Sequence, residues 1–234
     1  MILLLNVPFA EKDLAKSKGA KWNPVAKTWY TSDIASLNGL SKWIGNYNII
    51  CDSLYIFRME RVCWKCKEGT DVICLASDKS YSTEYGYKEN LSIQLFSYVE
   101  SMPDIFADYL KRKFAYFPSY SKANESTYYV NHCRYCSGIQ GDNYLHEIPL
   151  ESFYKKLCYK NSKAANFSTV KNQFYVPLRA RLPYYDEVSS SMEMLMSHIN
   201  TGVENRASLN ITQKLVNGLF SVSTQSQDIV IDGI

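Results

Sequence analysis

The chain has 234 residues, of which 46% are hydrophobic and 21% charged, and its formal net charge is +3. This composition predicts one large or two small folded domains and excludes a disordered or collagen-like chain. No apolar stretch approaches the roughly 20 residues of a membrane-spanning helix. Seven cysteines cannot all form disulfides with one another, and the sequence does not start with a secretory segment. We therefore expect a cytoplasmic protein without a membrane partner.

The first elements predict a small β-α-β-β unit over residues 1–48. Residues 2–7 are apolar and end at a proline, which favours a short strand. Residues 11–18 predict a helix, because acidic groups lie in the first turn, basic groups in the last, and Gly19 follows as a cap. Residues 21–30 predict a β-hairpin around an Asn-Pro turn. A unit of this size is small for an independent core, so we expect it to pack against the rest of the chain.

The next region, residues 49–160, predicts a small β-structure interrupted by helices. Residues 53–59 and 71–76 read as short strands, as do residues 127–131. Apolar residues at helical spacing and a proline suited to a first turn predict two helices within an insert over residues 89–117. The residues that carry this helical spacing are Leu91, Leu95, Phe96 and Val99.

The last region, residues 161–234, predicts an irregular or helical segment with a polar tail. Residues 189–199 favour a helix, because their methionine, leucine and isoleucine side chains share one face. Beyond Asn205 the chain is rich in Ser, Thr, Asn and Gln, which predicts a loosely attached tail. Taken together, the predicted elements indicate an α+β fold.

Two C-x-x-C pairs indicate a metal site in the middle region. Seven cysteines in a chain of this length would give roughly 0.2 such pairs by chance. Two tight turns can aim four thiolates at one point, which suits a tetrahedral zinc site with bonds of about 2.3 Å. The 66 intervening residues exceed the usual interval, and the helical insert would account for the excess. We expect a zinc-ribbon-like domain in which structural Zn²⁺ is bound by Cys63, Cys66, Cys133 and Cys136.

Other interpretations of these cysteines stay open. A redox pair is one alternative, although the sequence has no βαβ context for it. A second alternative is that His132 or His146 binds the metal in place of one cysteine sulfur. The remaining cysteines, Cys51, Cys74 and Cys158, are expected to be buried as small hydrophobic residues. Four protein ligands would close the metal site and leave no position for activating water, so the zinc carries no catalytic prediction.

The N-terminal segment contains the motif VP-x-x-EKD-x-AK-x-x-GA-x-W, followed by K-x-W-Y. On these residues, positions 3–45 resemble a small domain of unknown function that is common on plasmid and phage proteins. In that family the domain is often appended to primase-like, topoisomerase-like or antirestriction-type proteins. Asn23 departs from the Asp that the family generally has before the turn. The resemblance implies a mobile-element setting and an association with nucleic-acid transactions, and it assigns no reaction.

The same segment interleaves basic and aromatic side chains, which suits phosphate contacts and stacking on unpaired bases. The alternative is that the tryptophans anchor the small core while the lysines only solvate a helix face. We expect the partner to be nucleic acid, or a host nucleoprotein or protein complex, rather than a small-molecule substrate. The candidate nucleic-acid-binding residues are Lys18, Lys21, Lys27, Trp29 and Tyr30.

These features favour a non-enzymatic, zinc-stabilised accessory protein of phage or plasmid type that binds nucleic acid or a nucleoprotein complex. The alternative is an antirestriction or anti-CRISPR-like antagonist of a host defence system, which the 19 tyrosines support because Tyr is favoured at protein interfaces. An enzyme has little support, since phosphate-binding loops, G-x-S-x-G and H-E-x-x-H are all missing. The candidate interface tyrosines are Tyr81, Tyr85, Tyr87, Tyr128 and Tyr129.

Overall fold

The structure is a computed structural model that describes residues 1–52, 54–143, 145, 165–172, 175–181, 206–216 and 219–223. In these residues the fold is a mixed, mostly antiparallel β-structure with few helices. This observation agrees with the predicted α+β class. Across the described ranges, every helix is too short or too polar to cross a bilayer.

The N-terminal unit is a three-stranded antiparallel sheet with a helix connecting its first two strands in sequence. The predicted strand, helix and hairpin are all present. Asn23 starts the hairpin turn by accepting hydrogen bonds on Oδ1 from the main-chain nitrogens of Val25 and Ala26, both at 3.0 Å. The sheet order is β1-β3-β2, and the elements are β1 (Leu3–Leu5), α1 (Lys12–Ser17), β2 (Lys21–Asn23), β3 (Thr28–Thr31) and the short helix α2 (Leu37–Leu40).

The N-terminal unit shares its hydrophobic core with the rest of the chain, as its small size suggested. Leu3, Leu5 and Trp43 pack in one buried cluster with Tyr81 of the larger sheet and with Tyr175, which directly precedes another of its strands. The main-chain nitrogen of Tyr175 also donates a hydrogen bond to the carbonyl of Ile2 at 3.1 Å. The unit is therefore held in place by packing outside its own 48 residues.

The larger sheet has eleven strands among the described residues. Its order is β10-β9-β7-β12-β4-β6-β5-β11-β13-β14, with β8 paired to β9 and β7 also paired to β6. The pairs β4–β6, β6–β7, β7–β12 and β12–β4 close a circuit around the core. The strands are β4 (Ile49–Cys51), β5 (Leu54–Val62), β6 (Gly69–Ser82), β7 (Gly86–Ser101), β8 (Tyr116–Ser121), β9 (Ser126–His132), β10 (Ile139–Gln140), β11 (Ala165–Asn172), β12 (Val176–Arg181), β13 (Arg206–Val216) and β14 (Leu219–Ser223).

Helix α3 (Asp104–Phe114) covers the core of the larger sheet. Phe106, Leu110 and Phe114 recur every fourth residue and are buried in the same cluster as Phe96 of β7. The helix ends at Ala115, which takes a left-handed conformation with φ of 53°. This single helix matches the second helix of the predicted insert.

The insert over residues 89–117 was expected to begin with a helix. This prediction is wrong, because residues 89–100 belong to strand β7. The apolar stripe at helical spacing was misleading. Leu95, Phe96 and Val99 are all buried, and because the successive residues Leu95 and Phe96 point to opposite faces, both faces of the strand are covered. A strand buried on both faces reads as a nearly continuous apolar run, which periodicity alone cannot separate from a helix.

Residues 161–234 were expected to form an irregular or helical segment with a polar tail. This prediction is wrong for the residues that the structure describes there, because they form strands β11 to β14. In β13, Ala207, Leu209 and Ile211 alternate with polar residues, which is a strand pattern. The predicted helix at residues 189–199 lies outside the described residues. The domain boundaries at residues 48 and 160 stay predictions, although β11 and β12 pair with strands that precede residue 160.

Candidate metal centre

Two hairpin turns bring the four predicted cysteines together. Residues 63–66 lie in the turn between β5 and β6, and residues 133–136 lie in the turn between β9 and β10. We call these the first and second cysteine turns. Cys63 Sγ lies 3.7 Å from Cys136 Sγ, and Cys66 Sγ lies 3.6 Å from Cys133 Sγ. All four sulfur atoms lie within 4.8 Å of one another and could hold a metal ion.

The sulfur separations fit a tetrahedral metal ion. Four sulfurs at about 2.3 Å from a central zinc would have sulfur–sulfur edges of about 3.8 Å. Two of the sulfur–sulfur separations, 3.6 and 3.7 Å, are close to that edge. Thiolates are also the ligands that favour zinc or an iron–sulfur cluster over hard cations such as Mg²⁺.

The two cysteine turns have the same main-chain geometry. In the first turn, Cys63 donates to the carbonyl of Glu68 at 2.8 Å and accepts from the nitrogen of Lys67 at 3.0 Å. The second turn repeats both bonds at 2.9 Å, with Gly138 and Ser137 in those positions. Lys67 and Ser137 both take left-handed conformations, with φ of 67° and 55°. Each turn therefore curls its main chain around its own pair of sulfurs.

Main-chain donors favour the thiolate form in the deeper half of the cluster. Burial raises the pKa of Cys63, but the N–H groups of Cys66 and Lys65 and the neighbouring thiols outweigh it and lower that pKa to about 6. A main-chain donor at Glu68 acts to lower the pKa of Cys66, but burial and the other sulfurs together raise it to about 12. Such opposed shifts are what adjacent like charges produce, and a divalent cation would favour all four thiolates.

Two side chains, Gln140 of β10 and Trp64 of the first cysteine turn, connect the two hairpins. Gln140 Nε2 donates to Cys63 Sγ at 3.3 Å and to the carbonyl of Gly138 at 3.0 Å. Trp64 Nε1 donates to the carbonyl of Ile139 at 2.6 Å. These contacts hold the turns in register and supply a hydrogen bond to one candidate ligand, as the surroundings of metal-bound sulfur commonly do.

Asn131 connects the two hairpins below the cysteine turns. Its Oδ1 accepts from the main-chain nitrogen of Ile73 at 2.7 Å, and its Nδ2 donates to the carbonyl of Ile73 at 2.9 Å. The side chain is buried, with 1% exposure. The Asn131 side chain thus forms the two main-chain hydrogen bonds that a neighbouring strand would otherwise form with Ile73. It thereby attaches β9 to β6 two residues before Cys133.

His132 belongs to a different environment from the sulfurs, so the structure gives no support to its replacing one of them. Its ring stacks on Phe117 with centroids 3.6 Å apart. Nε2 lies 2.9 Å from Ser119 Oγ, and Nδ1 lies 3.3 Å from the carbonyl of Ala115. Burial lowers the pKa of His132, which favours the neutral ring. The other candidate, His146, lies outside the described residues.

The predicted nucleic-acid-binding residues do not share one surface. Lys21 pairs with Tyr30 across β2 and β3, which puts their side chains on one face, while Trp29 lies on the opposite face. Trp29 is half-buried and packs on the core of the N-terminal unit. Lys18 follows α1 and Lys27 lies in the hairpin turn, and both are exposed. The structure thus supports the core alternative for Trp29 and leaves the lysines accessible.

Most of the predicted interface tyrosines are at least partly buried. Tyr81 and Tyr128 are buried, and Tyr87 and Tyr129 are half-buried. Tyr85 is 44% exposed. Four of the five candidate tyrosines are therefore wholly or partly occupied by packing within the protein.

Sequence reasoning missed four residues around the metal centre. Asn131 and Gln140 form hydrogen bonds to distant parts of the chain, which no local pattern shows. Trp64 and Tyr135 lie between the cysteines of the two pairs and could have been read from the motifs themselves. They are 61% and 71% exposed.

Comparison with known proteins gives matches to a small part of the chain. Residues 3–45 match the family described as Domain of unknown function (DUF5710). The chain is also similar to DNA primase TraC of Escherichia coli, with 42% identity over 40 residues, which is 17% of this chain and 4% of that protein. The chain thus spans only a small part of the length of this relative. No solved structure matches. The N-terminal resemblance is therefore supported for residues 3–45.

Proposed function

We propose that the chain is a zinc-stabilised accessory protein of a phage or plasmid, that it catalyses no reaction, and that it binds nucleic acid or a nucleoprotein complex. The observation that carries the proposal is the cluster of four sulfurs within 4.8 Å, supplied by two turns with the same geometry. Clusters of this kind close a metal site with protein ligands alone and serve structure.

In this proposal, Cys63, Cys66, Cys133 and Cys136 hold one Zn²⁺. The ion when bound supplies a cross-link between hairpins that lie far apart in sequence. Such a link contributes folding free energy, because the unfolded chain has no preformed site. Gln140 and the main-chain donors of the turns stabilise the thiolates on the protein side.

The nucleic-acid partner is proposed from two features. The N-terminal unit is similar to part of a DNA primase, a protein whose name states a nucleic-acid reaction. The unit also exposes Lys18, Lys21 and Lys27, while the chain as a whole is slightly basic. Exposed lysines suit phosphate contacts, which supply most of the sequence-independent affinity for nucleic acid.

A titration with labelled oligonucleotide tests this function. The zinc-loaded full chain should bind a mixed-sequence oligonucleotide, and its affinity should fall as salt rises from about 50 to about 200 mM, because phosphate contacts release counterions. Lys21→Glu with Lys27→Glu should weaken binding if the N-terminal unit contributes. Absence of binding to single-stranded and duplex DNA and RNA at low salt would remove nucleic acid as the partner.

The antagonist alternative stays a prediction with less support. It depends on tyrosines at a protein interface, and of the five candidates only Tyr85 is largely accessible among the described residues. A stoichiometric protein partner recovered from host lysate in the absence of nucleic acid would restore it.

A further inference from the structure

The cysteine turns display two aromatic rings to solvent. Trp64 and Tyr135 are 61% and 71% exposed, and each lies between the two cysteines of its pair. Neither ring is required to fill the core at that exposure. Large exposed rings on two turns whose cysteines lie together indicate a binding surface more often than a packing requirement.

A hydrogen bond holds the indole of Trp64, and the turn fixes the main chain at Tyr135. Trp64 Nε1 is hydrogen-bonded to the carbonyl of Ile139, which holds the indole against the second hairpin. Tyr135 lies within a turn closed by the bond from Ser137 to Cys133 at 2.9 Å. Rings on short, hydrogen-bonded turns lose little conformational freedom on binding, which favours their use as stacking platforms.

Basic residues adjoin both rings in the sequence, Lys65 next to Trp64 and Arg134 next to Tyr135. Arg134 Nη2 donates to the carbonyl of Lys113 at 2.6 Å, which brings the basic end of α3 to the second cysteine turn. Asp71 pairs with Arg58 at 2.8 Å and lies 3.6 Å from Arg134, so its charge is already compensated. In residues 58–71, 111–113 and 134, the basic side chains outnumber the acidic ones. The basic residues are Arg58, Arg61, Lys65, Lys67, Lys111, Arg112, Lys113 and Arg134, and the acidic ones are Glu60, Glu68 and Asp71.

We propose that the surface formed by Trp64, Lys65, Lys113 and Tyr135, here called the turn surface, binds single-stranded nucleic acid. Unpaired bases stack on the two rings while the lysines contact phosphates. The proposal rests on the proposed function and names the surface that performs it. It assigns the main contact to the metal-centre end of the molecule instead of the N-terminal hairpin.

The composition of the turn surface favours a nucleic acid over a protein. Exposed aromatic rings suit either partner. Lysine, however, is depleted in protein interfaces, whereas lysine beside aromatic rings is typical of single-strand binding. A duplex would present its phosphates but no free base faces, so the rings favour single strands.

The experiment measures fluorescence anisotropy of labelled 20-nucleotide strands with the zinc-loaded full chain. Tyr135→Ala should weaken binding about tenfold, and Tyr135→Phe should not, because stacking needs only the ring. Lys113→Glu should weaken binding and reduce the salt slope by about 1. Single-stranded DNA and RNA are tested in separate arms, and a duplex of the same sequence should bind at least tenfold more weakly than the better single strand.

The chain offers matched controls on the β8–β9 hairpin. Tyr120 is 59% exposed, and Lys122 is also exposed. Both lie near the end of β9 opposite to the second cysteine turn, about 20 Å along the strand. Tyr120→Ala and Lys122→Glu should leave affinity within about twofold of the parent chain, since one distant charge contributes little at moderate salt.

A second readout does not depend on affinity. Stacking of a base on Trp64 should quench tryptophan fluorescence, and the quenching should largely disappear in Trp64→Phe but persist in Trp22→Phe. Zinc content is measured for every variant. If Tyr135→Ala loses zinc, its affinity is not interpreted, and the difference in quenching between Trp64→Phe and Trp22→Phe tests the turn surface instead.

Several outcomes overturn the proposal. Binding that is unchanged in Tyr135→Ala, or quenching that persists in Trp64→Phe, would place the contact elsewhere and leave the proposed function intact. Preference for the duplex would also overturn it. Absence of binding to every strand would remove both the turn surface and the proposed nucleic-acid function.

Discussion

Replacement of Asn131 by alanine should both destabilise the fold and weaken the metal centre. The Asn131 side chain satisfies the main-chain nitrogen and carbonyl of Ile73 from a buried position. Alanine removes both hydrogen bonds and leaves two buried polar groups of β6 without those partners. The same change frees β9 from β6 just before the second cysteine turn.

The magnitude follows from the two groups left unsatisfied. Each costs about 1–3 kcal/mol, so Asn131→Ala should lower the free energy of unfolding by about 2–6 kcal/mol. A domain is typically stable by about 5–15 kcal/mol, so this loss is large. Zinc should also leave the variant more readily, because the two hairpins that carry the sulfurs are no longer aligned by the protein.

The assay is urea unfolding with zinc present, followed by competition with a colorimetric chelator. Asn48 provides a matched control, because its side chain makes the same pair of bonds, to the main-chain nitrogen and carbonyl of Ala180 at 3.0 and 2.8 Å. Asn48 is only half-buried and lies away from the cysteine turns. Asn48→Ala should therefore cost less stability and leave zinc retention unchanged. A loss below about 1 kcal/mol in Asn131→Ala, or equal zinc retention in the two variants, would show that Asn131 does not hold the two hairpins together.

Three further predictions follow from local geometry. Ala115→Gly should raise the melting temperature by about 2–4 °C, because glycine relieves the left-handed conformation at the end of α3; an unchanged or lower value by calorimetry would contradict this. Gly138→Ala should speed zinc release to a chelator, because the added Cβ would lie 3.3 Å from Cys136 Sγ; a release rate equal to that of the parent would count against a rigid sulfur cluster. Trp43→Phe should lower the free energy of unfolding, because it removes the 2.6 Å bond to Glu11 Oε2 and shrinks a buried side chain; a double-mutant cycle with Glu11→Ala isolates the coupling of the pair, and a coupling of zero would contradict the prediction.

The features that the sequence predicted correctly are those specified by neighbouring residues. The hairpin over residues 21–30 follows from one turn and its flanking aromatic residues. Helix α1 follows from its charged ends and Gly19. The proximity of the four cysteines was inferred from two short motifs, because each motif already prescribes a tight turn.

The features that the sequence did not predict depend on distant parts of the chain. Strand β7 resembles a helix in its sequence because packing covers both of its faces, and two of its partners, β9 and β12, lie far away in sequence. The roles of Asn131 and Gln140 depend on contacts 58 and 77 residues away. In β13 the period-2 alternation was present in the sequence, but the polar composition of the surrounding region concealed it.

X-ray absorption at the zinc edge of freshly purified protein measures whether the four cysteines bind one structural zinc ion. We expect one zinc per chain with four sulfur neighbours at about 2.3 Å. Nitrogen or oxygen among the neighbours, or protein that contains no zinc, would contradict it.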